Sequence, residues 1–208
     1  MIPEFNAFFR AIDSPYSNKE EIERAWKNFL ATSPHPEEIK IIINELTKRE
    51  EGKVGVFLQK AYELFLEMNS KPPEENLSEF ERKKGETIRK ENLFFLLTRP
   101  VIPLELRQKT WETLRTLDSS LLDFRGKYDE SYRLTKNDYW QLIKEIPDNE
   151  FKEKFVLPAF LDFLNRNPEL RRSIDETHIQ KHIRLTKEGQ KIVQETFHPE
   201  RRRWWKIW

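Results

Sequence analysis

The sequence predicts an all-α protein, an irregular multi-helix bundle or a helical-repeat-like array, and three observations carry that expectation. Apolar residues recur at i, i+3, i+4 and i+7 along much of the 208-residue chain, the spacing that lays one stripe along a helix. Only five glycines are present, which leaves little material for the tight turns of β-hairpins. Proline is followed closely by glutamate at Pro36-Glu37, Pro73-Glu74, Pro103-Leu104-Glu105, Pro168-Glu169 and Pro199-Glu200. Proline tolerates a first helical turn, and a carboxylate there complements the helix dipole. The spacing of these starts is irregular, so no fixed-period repeat follows from them.

In chain order, Phe5, Phe8 and Phe9 sit at helical spacing after Pro3, and Asp13-Ser14-Pro15 closes that helix. Asn18 with Glu21 makes a capping pair ahead of Ile22, Ala25, Trp26, Phe29 and Leu30. Ser33-Pro34-His35-Pro36 stops this helix and starts the next, whose stripe is Ile39, Ile42, Ile43 and Leu46, with Gly52 expected as its C-terminal cap. A broader stripe follows: Val54, Phe57, Leu58, Ala61, Tyr62, Phe65 and Met68. Val56, Leu64 and Leu66 lie off that face, which predicts burial on more than one side.

Residues 71–76 read as a loop, and Leu77 to Thr98 as a helix that is polar first and apolar last. The stretch from Glu91 to Phe124 organises the chain. It opens with the run Leu93-Phe94-Phe95-Leu96-Leu97, breaks at Arg99-Pro100-Val101-Ile102-Pro103, and resumes with Leu104, Trp111, Leu114, Leu117 and Leu121. Burying each such residue is worth about 1.5–3 kcal/mol, so other helices are expected to pack around it. Thr135 with Asp138 resembles a capping box before Tyr139, Leu142, Ile143 and Ile146. Asp148 caps a helix carrying Phe151, Phe155, Phe160, Phe163 and Leu164, and Pro158 must kink or split it. The expected organisation is an N-terminal helical array over 1–124, a smaller helical part over 134–197, and a basic-aromatic tail over 198–208.

Charge and composition narrow the function. The 37 basic and 36 acidic side chains nearly cancel, which argues against a strongly electrostatic partner for the whole surface. The balance shifts from Arg171 to Trp208, where ten Lys and Arg face five Asp and Glu. Without cysteine the chain has no disulfide, Cys-ligated zinc or thiol nucleophile, in keeping with a cytoplasmic location. The start, Met1-Ile2-Pro3-Glu4-Phe5, has neither the basic nor the apolar region of a signal peptide, and no apolar run approaches a membrane span.

Candidate chemistry is sparse. His178 and His182 share one face if their segment is helical, but Ile179 stands where a metalloprotease signature carries glutamate, and no further histidine completes a shell. Two surface histidines, with no metal and no cofactor, are the expectation. Asp148, Glu150 and Lys152 echo the Asp…Glu-x-Lys set of metal-dependent nucleases, yet they crowd one helix start and read as a cap and a first-turn carboxylate. No phosphate-binding glycine loop, nucleophile elbow or catalytic triad is visible, so a non-enzyme is expected.

Ile179, Ile183 and Leu185 alternate as in a short strand, and Thr186 to Val193 reads as a capped helix. The string Ile183-Arg184-Leu185-Thr186-Lys187-Glu188-Gly189 resembles the end of the wing in winged helix-turn-helix domains, which implies a small winged-helix-like C-terminal part. A capped amphipathic helix without a winged domain is the plainer reading and the preferred one. The tail concentrates Arg201, Arg202, Arg203, Trp204, Trp205, Lys206 and Trp208. Aromatics and cations together suit base stacking on a phosphate backbone, a bilayer surface, or a protein-binding hot spot. Trp26, Trp111 and Trp140 are read as core.

The expected function is a non-catalytic helical interaction module, a subunit or adaptor of a larger assembly that binds a protein partner. The alternative is a nucleic-acid-binding protein acting through Arg171, Arg172, Lys181, Arg184 and the tail from Arg201 to Trp208.

Overall fold

The computed structural model describes residues 3–49, 51–72, 74, 76–117, 134–174 and 176–198. All regular structure among them is helical. The helices form two compact units: Met1–Pro72 with Val101–Thr110, and Pro73–Pro100 with Trp111–Trp208. The stretch read as organising therefore serves both, with 101–110 in the first unit and its flanks in the second. The junction expected at 124–134 lies outside the described residues, apart from Leu134 itself.

The first unit is built on α1 (Pro3–Asp13), α2 (Lys19–Leu30), α3 (Pro36–Leu46) and α4 (Glu51–Ser70). The Asn18 side chain accepts from the Glu21 N–H at 2.9 Å, and Glu21 accepts from the Asn18 N–H at 3.1 Å. Two of the donors orphaned at the start of α2 are thus satisfied locally. Pro36 opens α3, and its stripe Ile39, Ile42, Ile43 and Leu46 is fully buried. α3 ends at Thr47, which keeps a right-handed conformation. The Thr47 hydroxyl bonds back to the Ile43 carbonyl, so the end is satisfied without glycine, and Gly52 stands instead in the first turn of α4.

An aromatic cluster joins three of these helices. The Phe8 ring lies 5.1 Å from Trp26 and 5.7 Å from Phe57, and Phe5 lies 6.2 Å from Phe29, centroid to centroid. Such tilted and edge-on pairs add to the burial of the rings themselves. Arg49, just after α3, closes the unit by donating to Asp13 from Nε at 2.8 Å and from Nη2 at 3.0 Å, with its guanidinium 4.6 Å over Phe9. That interaction holds the Asp13 carboxyl below its ordinary range, chiefly through the hydrogen bond. On α4 the predicted face is buried except for the partly exposed Met68, and of the off-face residues Val56 is exposed while Leu66 is buried.

The second unit contains α5 (Glu79–Leu97), the end of α6 (Leu104–Arg115), α7 (Lys136–Glu145), α8 (Asn149–Phe151), a π-helical turn (Lys152–Val156), α9 (Leu157–Arg166), α10 (Pro168–Arg171), α11 (Glu176–His182) and α12 (Lys187–Phe197). Ser78 and Thr135 cap α5 and α7, each in a reciprocal box. Asp138 completes the α7 box and also accepts from Lys90 of α5 at 3.1 and 3.2 Å. α5 also buries a charged pair, Glu86 and Arg89, 2.6 Å apart.

The π turn answers the problem set by Pro158. Its wider bonding pattern has the Leu157 N–H donating to the Lys152 carbonyl, and Pro158 then falls in the first turn of α9, where its missing donor costs nothing. Leu104, read as part of the α6 stripe, is exposed at the first position of that helix, while Leu106 turns inward.

The wing-like reading fails. Ile179 lies in α11, residues 183–186 form an irregular link, and no strand occurs among the described residues. The Leu-Thr-x-x-Gly pattern has a local cause instead. The Thr186 side chain caps α12 by accepting from the Gly189 N–H at 3.1 Å. The Glu153 carboxylate accepts from the Thr186 N–H and hydroxyl at 2.7 and 2.6 Å, and it occupies the place a Cβ on Gly189 would take. Threonine supplies the cap, and glycine leaves room for the carboxylate that holds it.

Candidate functional site

Two features stand out, one in each unit. In the first, residues at the α3 to α4 corner and the segment from Val101 to Pro103 enclose an open groove of about 330 Å³. Leu46, Val54, Leu58 and Tyr62 form its buried walls, and Val101, 48% exposed, lies on its rim. Gly55 also lines it, and a Cβ there would meet nothing within 4 Å. Thr47, Arg49 and Gln59 give it a polar edge, whereas among the described residues no carboxylate, imidazole or lysine lines it. Arg49 is held charged by Asp13 and Glu45. No signal in the sequence marks the groove, because Val101 and Pro103 reach it from far along the chain.

In the second unit, α7 and α11 bring a tryptophan, two histidines and several lysines together. Four residues separate His178 from His182, and with α11 helical both imidazoles meet Trp140 of α7 edge-on, at 6.4 and 5.8 Å. The Lys144 ammonium lies 5.6 Å over the same indole, and Phe160 of α9 flanks it at 6.1 Å. Lys152, buried in the π turn, donates from Nζ to the His182 carbonyl at 2.6 Å. Trp140 is thus half-buried with a working edge, where the sequence reads it as core; Trp26 and Trp111 are core.

Partial burial, and then the charges of Lys144, Lys152, Lys181 and His178, hold the His182 imidazole below its usual range. Burial also lowers Lys152, against the opposing charge of Asp148. Among the described residues no three His, Cys, Asp or Glu side chains gather as a metal site would require.

The predicted binding residues divide. Lys181 belongs to this cluster on the exposed side of α11. Arg171 donates to the Thr196 carbonyl at 3.0 Å, tying α10 to α12 as a structural link. Arg172 and Arg184 are exposed, and the Arg184 backbone is held by the Asn149 side chain at 2.7 and 2.8 Å. Arg201, Arg202, Arg203, Trp204, Trp205, Lys206 and Trp208 lie outside the described residues. Among the described residues no helix is long and apolar enough to cross a membrane.

Compared with known proteins, the chain matches no family model, no curated protein and no solved structure.

Proposed function

We propose that the chain is a non-catalytic helical interaction module of the cytoplasm, a subunit or adaptor that docks a protein partner. The open groove of the first unit carries this reading: its walls are largely apolar, formed by Leu46, Val54, Leu58 and Val101. Its volume and shape suit one or two apolar anchor residues presented by a partner helix, with Thr47 and Gln59 available for polar contact at the edge.

Gly55 supplies the test. Gly55→Leu places a side chain in empty space on a helix, so the fold is retained and α4 gains about 0.5–1 kcal/mol from helix propensity. Helical peptides selected from a library against the full chain are expected to bind Gly55→Leu at least about tenfold more weakly, a loss of about 1.4 kcal/mol. Selected peptides that bind both forms equally would remove the groove as the docking site.

A second reading, nucleic-acid binding through the basic C-terminal region, is favoured by the ten Lys and Arg against five Asp and Glu from Arg171 to Trp208. Replacing Arg201, Arg202 and Arg203 by Ala is then expected to weaken binding and flatten its salt dependence. Equal affinity at every salt concentration would exclude those arginines.

A further inference from the structure

We infer that the exposed face of α5 is the contact through which two copies of this chain form an antiparallel, two-fold symmetric dimer. This contact belongs to the second unit and does not depend on what the groove of the first unit binds.

α5 has two unlike faces. Inward it buries Leu93, Leu96 and Leu97 together with the Glu86–Arg89 pair. Outward, Phe80, Lys84, Ile88, Glu91 and Phe95 follow at steps of four, four, three and four, which sets them along one line of a helix. Phe80 is 70% exposed and Ile88 43% exposed. Phe95 is partly exposed, with the Arg99 guanidinium over one face of its ring.

The charges on this line name its occupant. Lys84 and Glu91 are exposed and stand two helical turns apart, roughly 10 Å along the axis, too far to pair with each other. Among the described residues neither meets an opposite charge. Their neighbours are engaged: Lys83 meets Glu79 at 2.8 Å, Lys90 meets Asp138 at 3.1 Å, and Glu81 accepts from the Ser78 N–H at 3.0 Å. A second α5, turned end for end beside Ile88, sets Lys84 against the partner's Glu91 and Phe80 against the partner's Phe95, each twice. Both pairs are centred on the same point of the helix, midway between residues 87 and 88, so one register satisfies them together and brings the two Ile88 side chains to the axis.

A parallel arrangement would oppose like charges at Lys84 and at Glu91 and align the two helix dipoles. The face is thus complementary to a reversed copy of itself, as a closed two-fold contact requires. A bilayer surface would favour cations around such a stripe, whereas Glu91 stands within it. With a formal charge of +1, two copies approach without appreciable net repulsion. Phe80 to Phe95 spans about 22 Å of helix, a small contact, so the expected dissociation constant is micromolar.

The test is sedimentation equilibrium of the full chain over about 1–300 μM at low ionic strength. A reversible monomer–dimer equilibrium is expected. Lys84→Glu and Glu91→Lys should each weaken it at least about tenfold, because two attractive pairs become two repulsive ones. Combining both changes in one chain should restore affinity to within about threefold, since the pairs are then only exchanged. All these positions are exposed, and thermal melts matching the wild type confirm the fold. The chain has no cysteine, so Ile88→Cys creates a lone thiol that should cross-link copies under mild oxidation. Val56→Cys, on an exposed position of α4, should not.

A wild type that stays monomeric throughout overturns the proposal; if Phe80→Ser then lowers its binding to phosphatidylserine vesicles, the face belongs to a membrane. A dimer indifferent to both charge reversals, or one that the combined variant fails to restore, places the contact elsewhere and overturns it too. Gly55→Leu should leave dimerisation unchanged, which keeps this outcome separate from that of the groove.

Discussion

Phe8→Ala is expected to destabilise the first unit by about 3–5 kcal/mol, the range for deleting a fully buried aromatic ring from a packed core. Phe8 has no exposed surface, and its ring meets Phe9, Trp26 and Phe57 at 5.4, 5.1 and 5.7 Å. The substitution leaves a cavity between α1, α2 and α4 and removes several edge-on ring pairs together. Amide hydrogen exchange followed by mass spectrometry checks it: protection across 3–30 should collapse in the variant. Phe8→Leu, which keeps more of the volume, should recover more than half of the loss. Wild-type protection in Phe8→Ala would mean that the cluster is peripheral to the stability of the unit.

Glu86→Gln is expected to cost the second unit about 3–5 kcal/mol, the usual penalty for breaking a buried ion pair by removing one charge. Glu86 is 1% exposed and Arg89 is 10% exposed, counting side chains, with 2.6 Å between Oε1 and Nη1. Glutamine preserves the shape but takes away the charge that offsets the desolvation of the guanidinium. Urea unfolding followed through the fluorescence of Trp111 and Trp140 measures the loss. Replacing both partners by apolar residues, Glu86→Leu with Arg89→Met, should regain most of it, because the charged pair confers little net stability over well-packed carbon. A double variant as unstable as the single one would show that the carboxylate holds more than Arg89.

These two residues differ sharply in how far the sequence discloses them. Phe8 stands in a short helical aromatic pattern, and its burial follows from spacing. Glu86 and Arg89 lie in a helix half made of charged residues, where an exposed face is the natural expectation. Their burial comes from long-range packing that periodicity does not encode. The capping pairs at Asn18 and Glu21, and at Thr135 and Asp138, are legible because a cap is confined to four residues. The further role of Asp138, receiving Lys90 from 48 positions away, is not.

The same limit governs the candidate sites. The spacing of His178 and His182 announces a shared face but not what it meets. Trp140 meets it, and whether an aromatic on an amphipathic helix is core or rim depends on neighbours from other elements. The Leu-Thr-x-x-Gly string misleads for a related reason. A cap followed by a close approach of Glu153 produces the same letters as a strand running into a helix.

The first unit is discontinuous: its chain departs after Pro72 and returns for Val101–Thr110. Synthesis from the N-terminus therefore cannot finish this unit before the whole of α5 has emerged. Val101 and Pro103, which complete the wall of the groove, arrive last. Until then the nascent chain presents α3 and α4 without that wall, alongside an α5 whose own partners are still unmade, and such half-covered apolar surfaces are where chaperones engage. A single cut between the units would divide neither cleanly, so a fragment ending near Pro72 should be less soluble than the full chain.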